Sequence, residues 1–292
     1  MKHKLLSYLR CPVCKKGLTI GTRQLTCRVC RKIYPVQNGI PILIDLSALP
    51  VHLHRQIAYF EKEDESRQKG FILEPWQWRY VENFLSIGKP KPGGLIIDNA
   101  TGSGYIAIEL AKRGFRIIAT DLTVQELATL RRVIKNLKLG DRILLVGASS
   151  ESLPIRSGVA DGMVANAILE HLPNEREAIQ EMTRVLKPRA PLMLAMPLDL
   201  RYVWPFLWPV NIAHDRKIGH LRRYTRGKIR ERFRDFYEIT TYYTGSVIKI
   251  CCMVMKMITK RSWWDETGER LDALFSHHAY GASNIVSILQ KK

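Results

Sequence analysis

Short apolar runs alternate with longer amphipathic stretches over most of the chain. The runs predict β-strands, and the stretches predict helices because their apolar residues recur every three or four positions. Predicted strands cover residues 95–97, 115–121, 142–146, 192–197, 237–247 and 282–289, with a further strand that begins at residue 160. Predicted helices cover residues 71–87, 105–114, 124–137, 174–186 and 226–236. This alternation is typical of an α/β fold with a doubly wound, mostly parallel sheet.

The chain divides into three parts by composition. Residues 1–45 carry a cysteine motif and residues 46–70 are rich in charge, whereas the alternation of strands and helices occupies residues 71–292. We therefore predict a small first domain (1–45), a helical connector (46–70) and a large second domain (71–292). Insertions interrupt the second domain at residues 199–223 and 250–281. In the later insertion, the apolar stretch from Cys251 to Met257 predicts a helix face packed inside the protein.

A glycine-rich turn follows the first predicted strand of the large domain. Its sequence is Asp98-Asn-Ala-Thr-Gly-Ser-Gly104, in which Ala100, Gly102 and Gly104 are small enough for a ligand to lie against the backbone. Free N–H groups at the start of the next helix would point into this turn. Residues 102–107 also fit the dinucleotide pattern G-x-G-x-x-G/A, so a dehydrogenase is one alternative. Asp98 argues against a dehydrogenase, because the dinucleotide pattern brings its first glycine almost directly after the strand.

Asp121 ends the second strand of the large domain. Its carboxylate lies where it can accept hydrogen bonds from both hydroxyls of a ribose. Either kind of nucleoside cofactor requires that contact. Asp121 therefore predicts an adenosine-containing ligand without deciding which one.

The segment from Asp98 to Gly104 resembles the first motif of class I S-adenosylmethionine-dependent methyltransferases. The resemblance implies a Rossmann-like, seven-stranded sheet whose last strand is antiparallel, and S-adenosyl-L-methionine as cofactor. It also implies that the helix at residues 71–87 caps the cofactor pocket. The implied cofactor-binding residues are Asp98, Ala100, Gly102, Gly104, Asp121, Leu122, Ser149, Ser150 and Asn166.

One of these positions departs from the family pattern. Residues 147–154 resemble the family segment G-D-A-E-x-L-P, whose Asp contacts the adenine amino group. Ser149 stands where that Asp is expected. A hydroxyl can make the same contact without a charge.

The acceptor side of the predicted site carries several titratable residues. Residues 160–172 resemble the family's fourth motif and place Glu170 and His171 near the methyl acceptor. The insertion at 199–223 follows the fifth strand, so it and the insertion at 250–281 are expected to shape the acceptor site. Residues 219–225 resemble a segment of methyltransferases that act on small molecules, sugars and lipids. The catalytic residue stays open, and the candidate general bases are Glu170, His171, His214 and His220.

The first domain contains two C-x2-C pairs. Cys11, Cys14, Cys27 and Cys30 can present four thiolates to one tetrahedral Zn²⁺, which predicts a structural zinc with no open position for chemistry. Residues 5–44 resemble a small zinc-ribbon protein that binds and activates RNA- and protein-methylating enzymes. That protein is usually a separate subunit, so its fusion here implies a stabiliser acting in cis.

The net charge of +19 predicts an anionic partner. That partner is a phosphorylated or lipid-linked substrate, a membrane surface or RNA, and the charge does not choose among them. The sequence has no apolar run that could span a bilayer and no visible secretion signal. We therefore predict a cytoplasmic protein, with peripheral contact to a membrane left open and the oligomeric state undetermined.

Three hypotheses for function follow. The first is a methyltransferase for a small molecule or a lipid- or sugar-linked acceptor, favoured by residues 219–225 and the apolar stretch at 202–213. The second is an RNA methyltransferase acting on tRNA or rRNA, favoured by the charge and the ribbon. Against it, the fourth strand ends in Asn166-Ala-Ile-Leu and lacks the Asn-Pro-Pro-aromatic quartet of many base-amine methyltransferases. The third is a non-catalytic, cofactor-binding scaffold.

Overall fold

The fold was obtained as a computed structural model, which describes residues 3–45, 49–67 and 73–292. The first of its two sheets is small and antiparallel. Its strands follow the chain order β1, β2, β3, β4 and cover Leu18–Ile20, Gln24–Cys27, Ile33–Gln37 and Ile40–Pro41. Cys11 and Cys14 precede β1, Cys27 ends β2, and Cys30 lies between β2 and β3.

The second sheet has seven strands in the order β10, β11, β9, β8, β5, β6, β7. Strands β5 to β9 pair in parallel, and β11 lies antiparallel between β9 and β10. The prediction of a doubly wound sheet with an antiparallel last strand is therefore confirmed. The strands are β5 (Leu95–Asn99), β6 (Arg116–Asp121), β7 (Ile143–Gly147), β8 (Gly162–Asn166), β9 (Pro191–Pro197), β10 (Phe236–Thr244) and β11 (Asn284–Lys291).

Nine α-helices occur in the part of the chain that the structure describes. They are α1 (Val51–Arg67), α2 (Pro75–Asn83), α3 (Tyr105–Lys112), α4 (Val124–Asn136), α5 (Glu175–Val185), α6 (Trp208–Ile218), α7 (Arg226–Arg232), α8 (Val247–Thr259) and α9 (Trp263–Leu274).

The helix predicted at residues 71–87 begins later, at Pro75. Glu74 and Gln77 form a capping box there, and proline at the first helical position needs no N–H partner. The chain continues as a π-helical turn over Phe84–Gly88. Residues 71 and 72 of the predicted helix, and residues 46–48 and 68–70 of the predicted connector, lie outside the described residues.

The parallel strands position the site. Strands β5, β6, β7 and β8 are neighbours with the same direction, so their carboxyl ends meet at one edge of the sheet. Their last residues are Asn99, Asp121, Gly147 and Asn166. Ligands of open α/β sheets bind in the crevice outside these ends.

The small sheet packs against the edge of the large one. Ile42 forms a parallel bridge with Gly147, and Leu43 N donates to Gly147 O at 2.8 Å. Cys11 and Cys27 belong to the same buried apolar cluster as Val146 of β7. The two sheets therefore share a hydrophobic core, and the chain around Ile42 covers the exposed edge of β7.

The insertion at residues 250–281 differs from the prediction. Cys252 is the only residue of α8 that is buried, whereas Met257 and Ile258 are 79% and 70% exposed. The predicted packed helix face is thus wrong, because α8 packs mainly on α9 and leaves most of its apolar surface uncovered. Within the described residues no helix is both long enough and apolar enough to cross a membrane.

Candidate functional site

The glycine-rich turn between β5 and α3 uses left-handed backbone at alternate positions. The φ angles are 60° at Ala100, 49° at Gly102 and 75° at Gly104. A Cβ on Gly104 would come within 2.4 Å of Leu130 Cδ1, whereas a Cβ on Gly102 would meet no atom within 4 Å. Gly104 is therefore required for packing against α4, and Gly102 faces open space.

Asp98 lies beneath this turn and does not line a cavity. Its Oδ2 atom accepts hydrogen bonds from Thr101 Oγ1 at 2.6 Å and from Ala107 N at 3.1 Å. Burial raises the pKa of the Asp98 carboxyl to about 7. These two hydrogen bonds hold the turn against α3, and the predicted contact of Asp98 with the cofactor stays a prediction.

Asp121 lies at the end of β6 with both carboxylate oxygens anchored. Oδ2 accepts from Gly102 N and Oδ1 from Thr123 N, each at 2.9 Å. Burial raises the pKa of Asp121 above its ordinary value. An ionised carboxylate only accepts hydrogen bonds, so Asp121 can receive hydroxyl donors.

These elements enclose a space of about 710 Å³, which we call the glycine-turn cavity. Asp98 and Gly104 are not in its wall. Ala167, which follows β8, also lines it and has a φ of 51°. Left-handed backbone at non-glycine residues is characteristic of functional sites. The predicted residues that line the cavity are Ala100, Gly102, Asp121, Leu122, Ser149, Ser150 and Asn166.

The two serines make different contacts. Ser150 Oγ donates to Asn99 Oδ1 at 3.0 Å, which commits its hydroxyl hydrogen. Ser149 Oγ accepts from Glu151 N at 3.2 Å and keeps its hydroxyl hydrogen for another partner. Ser149 is therefore the serine with a donor left for a ligand.

Helix α1 covers the glycine-turn cavity, a role that the sequence analysis missed. Leu53, Gln56, Ile57 and Phe60 line the cavity from this helix. Their spacing of three and four residues was the signal that could have revealed a buried face. Trp76 and Gln77 of α2 also line the cavity. The two helices thus form part of its wall.

A second space of about 950 Å³ adjoins the first, and we call it the histidine cavity. Asn166, Ala167 and His171 line both cavities, so they mark the junction. Asn166 Nδ2 donates to Tyr105 OH at 3.0 Å. All four candidate bases line the histidine cavity, namely Glu170, His171, His214 and His220.

Glu170 and His220 face each other in this cavity. Glu170 is 1% exposed, and its Oε1 atom lies 3.8 Å from His220 Nε2. The other ring nitrogen, His220 Nδ1, lies 2.7 Å from Asp215 Oδ1, and Arg223 holds Asp215 through a 2.7 Å ion pair. Burial raises the pKa of Glu170 to about 8, and burial lowers the pKa of His220 despite its Asp215 partner.

His171 is held by residues of α1. Its Nδ1 atom lies 2.7 Å from Gln56 Nε2, and its carbonyl oxygen lies 3.1 Å from His52 Nε2. Burial, reinforced by the neighbouring His220, lowers the pKa of His171 to about 3. The His171 imidazole is therefore neutral at physiological pH.

The four cysteines of the small sheet form a second, separate cluster. Cys11 Sγ lies 3.4 Å from Cys30 Sγ, and Cys14 Sγ lies 3.4 Å from Cys27 Sγ. Thiolates bound to Zn²⁺ at about 2.3 Å in a tetrahedron are about 3.8 Å apart, so the cluster fits one ion. Tyr34 OH lies 3.2 Å from Cys11 Sγ, where it can support the thiolate.

Residues 212–235 carry nine lysines and arginines against three acids. Most of its arginines bind carboxylates of this chain. The partners are Asp215 for Arg223, Glu175 for Arg222 and Arg232, and Glu238 for Arg226 and Arg230.

Comparison with known proteins agrees with this architecture. Residues 97–194 match the family described as methyltransferase domain, and residues 2–39 match the family described as Trm112p-like protein. A UPF0434 protein of Vibrio atlanticus is 40% identical over 55 residues, which are 18% of this chain and 93% of that protein. The ubiquinone/menaquinone biosynthesis C-methyltransferase UbiE of Syntrophotalea carbinolica is 34% identical over 103 residues, 35% of this chain and 43% of that protein.

The chain spans less than half the length of these curated methyltransferases, 43% of UbiE and 35% of an uncharacterized chloroplastic one from Arabidopsis thaliana. Among solved structures, geranyl diphosphate C-methyltransferase of Streptomyces coelicolor superposes with a TM-score of 0.62 at 12% identity. The match covers 85% of this chain and all of that one, which contains S-adenosyl-L-homocysteine. The large sheet thus has the fold of class I methyltransferases, and residues 97–194 match the methyltransferase-domain family. The chain joins that domain to an N-terminal zinc ribbon of the Trm112p-like family.

Proposed function

We propose that the protein is an S-adenosylmethionine-dependent methyltransferase whose acceptor is a small molecule or a lipid- or sugar-linked compound. The observation that carries the proposal is the position of Asp121. It lines a cavity that shares Asn166, Ala167 and His171 with a second cavity rich in titratable groups. One space suits a nucleoside and the adjoining space suits an acceptor.

The residues of the glycine-turn cavity fit the cofactor. S-adenosylmethionine, when bound, supplies a methyl group activated by a sulfonium centre. Asp121 would accept hydrogen bonds from the ribose hydroxyls, and Ser149 would contact the adenine ring. The backbone at Gly102 leaves the room that a side chain would fill. Asn166 lies at the junction, where the methionine part would reach the second cavity.

The chain's remaining contribution is to position the acceptor and exclude water. Helices α1 and α2 cover the two cavities through Phe60 and Trp76, which line both. Alignment of a nucleophile with the methyl group in such a site is worth several powers of ten in rate. The candidate bases Glu170, His171 and His220 line the acceptor side, where an alcohol would need one and an amine would not.

The surface around the histidine cavity favours an apolar acceptor. Met253 and Met257 of α8 line the cavity, and Met257 is largely exposed at the same time. Helix α6 borders the cavity through His214 and Ile218 and begins beside the exposed Phe206. The names of two relatives, a ubiquinone/menaquinone C-methyltransferase and a geranyl diphosphate C-methyltransferase, point to the same class of acceptor.

The exposed Met253 and Met257 form an apolar rim at the histidine cavity. This rim, with the net charge of +19, supports peripheral contact with an anionic membrane surface. Vesicles that contain phosphatidylserine should carry the protein upward in a flotation gradient. Met257→Asp should reduce flotation, whereas Ile33→Asp, at an equally apolar exposed position on the ribbon, should not. Equal flotation of the two variants would contradict the membrane contact.

Two measurements test the enzymatic proposal. Calorimetry should detect binding of S-adenosylmethionine and none of NAD, and a chain that binds neither would leave the scaffold hypothesis ahead. Incubation with cell extract and methyl-labelled cofactor should place label in the organic-solvent or small-molecule fraction. Label confined to tRNA or rRNA would overturn the acceptor class and support the RNA hypothesis instead.

We also propose the division into residues 1–45, 46–70 and 71–292, with the ribbon as a stabiliser in cis. Lys15 of the ribbon forms a 2.7 Å ion pair with Glu181 of α5, and Arg10 N donates to Pro154 O at 2.8 Å. These contacts and the shared core support a ribbon that is fixed to the larger domain.

A further inference from the structure

One buried oxygen atom near the histidine cavity lacks a partner. Glu170 Oε2 has no hydrogen-bond partner among the described residues, although the Glu170 side chain is almost completely buried and lines the cavity. Leaving a buried carboxylate oxygen without a partner is costly. Proteins relieve such a group by protonation, by an ion pair or by metal coordination.

Two imidazoles stand beside this carboxylate. One ligand atom from each of Glu170, His171 and His220 can be chosen so that all three atoms lie within 4.8 Å of one another. An ion about 2.1 Å from each atom needs them about 3 to 3.5 Å apart. Glu170 Oε1 and His220 Nε2 are 3.8 Å apart and all three atoms lie within 4.8 Å, so side-chain rotations that shorten the separations by up to about 1.5 Å would close the set.

The surroundings of His220 are those of a metal ligand. Its Nδ1 atom lies 2.7 Å from Asp215 Oδ1, and Asp215 is itself held by Arg223 Nε and Nη2 at 2.7 and 3.0 Å. A carboxylate at one ring nitrogen keeps the proton there and leaves the other nitrogen as a lone-pair donor. His220 Nε2 therefore presents its lone pair on the side of Glu170.

His171 can be oriented in the same way. Gln56 Nε2 lies 2.7 Å from His171 Nδ1 and 3.1 Å from Gly219 O. With the Gln56 amide turned over, its oxygen would accept the proton of Nδ1 and leave Nε2 for an ion. Metal binding thus requires this amide rotation, which gives up the hydrogen bond to Gly219 O, together with the side-chain rotations that bring the three ligand atoms closer.

We propose that Glu170, His171 and His220 bind one divalent transition-metal ion in the wall of the histidine cavity, and that this ion holds an oxygen atom of the methyl acceptor. Two imidazoles and one carboxylate favour ions such as Mn²⁺, Fe²⁺, Co²⁺ or Zn²⁺ over Ca²⁺ and Mg²⁺. Three ligands on one side leave positions open toward the cavity. The oxygen acceptor rests on the proposed function, and the metal site does not.

Manganese is a suitable probe because it disfavours the thiolates of the zinc ribbon. The full chain with its zinc in place would be titrated with Mn²⁺, and the free ion followed by electron paramagnetic resonance. We expect about one bound Mn²⁺ per chain. Glu170→Gln and His220→Gln should each weaken binding at least tenfold, as loss of a metal ligand does. The matched controls Glu177→Gln and His54→Gln change exposed residues and should bind as the parent does.

The outcomes separate the two proposals. Calorimetric binding of S-adenosylmethionine by each variant shows that the variant is folded. A parent that binds this cofactor but no Mn²⁺ at millimolar concentration overturns the metal site alone. Mn²⁺ binding that survives Glu170→Gln and His220→Gln undiminished also overturns it. A parent that binds Mn²⁺ but no S-adenosylmethionine overturns the proposed function and leaves the metal site standing.

Discussion

Gly102 donates its backbone N–H to Asp121 Oδ2 over 2.9 Å, and this hydrogen bond ties the glycine-rich turn to the end of β6. The two features were recognised separately in the sequence, as a turn and as an acid at a strand end. The bond makes them one unit, because the carboxylate proposed to bind the ribose also fixes the backbone beside it. A change at Asp121 should therefore act twice, on a ligand contact and on the turn.

Asp121→Ala is expected to weaken S-adenosylmethionine binding by at least tenfold. The variant loses two hydrogen bonds to ribose hydroxyls, and a hydrogen bond to a charged group is worth about 1.5–3 kcal/mol. Titration calorimetry measures the dissociation constant. Asp141→Ala changes an exposed acid beyond α4 and should leave that constant unchanged. An unaltered constant for Asp121→Ala would remove the main support for the cofactor site.

Gly102→Ala should mainly reduce cofactor affinity, whereas Gly104→Ala should mainly reduce stability. Gly104 has left-handed backbone and a Cβ there collides with Leu130, so this variant should lose about 1–2 kcal/mol of unfolding free energy for the backbone and about 1–3 kcal/mol more for the collision. A Cβ on Gly102 projects into open space, so this variant should lose cofactor affinity with the smaller cost of left-handed backbone, about 1–2 kcal/mol. Urea denaturation and calorimetry give the two quantities. Equal losses of affinity in both variants would contradict this division of roles.

Asp98→Asn should change how stability depends on pH. The pKa of the Asp98 carboxyl is about 7 in the folded state, against an ordinary value of 3.8. Between these two pH values the folded state therefore binds more protons than the unfolded state, and the free energy of unfolding falls as pH rises. The slope reaches at most about 1.4 kcal/mol per pH unit for one proton. Because Oδ2 accepts both hydrogen bonds, an asparagine oxygen can keep them.

The measurement for Asp98 is urea denaturation of both proteins at several pH values from 4 to 7. The unfolding free energy of the parent minus that of Asp98→Asn should decrease steadily as pH rises. A difference that stays constant, or that increases, would mean that the buried carboxyl is ionised throughout this range.

The sheet was largely predictable because each strand is specified by its own short stretch of sequence. Each strand from β5 to β9 is a short apolar run, and the polar residues at the strand ends, such as Asp121 and Asn166, indicate the edge where ligands bind. The four cysteines were predictable for the same reason, since their spacing alone defines a tetrahedral site.

What the sequence did not reveal depends on side-chain contacts that form only in the folded chain. Gln56 of α1 reaches His171, 115 residues away, and no local pattern encodes that pairing. The hydrogen bonds that Asp98 accepts from Thr101 and Ala107 are closer in sequence, but they depend on the path of the backbone through the turn, which the residue pattern alone does not show. The apolar residues of α8 have a core-like composition, and only the packing of α8 on α9 shows that Met257 and Ile258 stay outside.

Loss of the ribbon zinc should destabilise more than the ribbon. Cys27→Ser with Cys30→Ser removes two ligands, so bound zinc should fall from about one per chain to nearly none. Because Ile42 and Leu43 cover the edge of β7, and Cys11 and Cys27 share a core with the large sheet, the melting temperature of the whole chain should fall. Elemental analysis and thermal denaturation measure the two effects.

Cys251→Ser is the matched control, because Cys251 is exposed on α8 and far in sequence from the cluster. It should keep both the zinc and the melting temperature of the parent. If the double variant lost its zinc but melted as the parent does, either the ribbon would fold without metal or it would not stabilise the edge of β7. If it kept its zinc, the ion would be bound elsewhere, and the four thiolates would need another explanation.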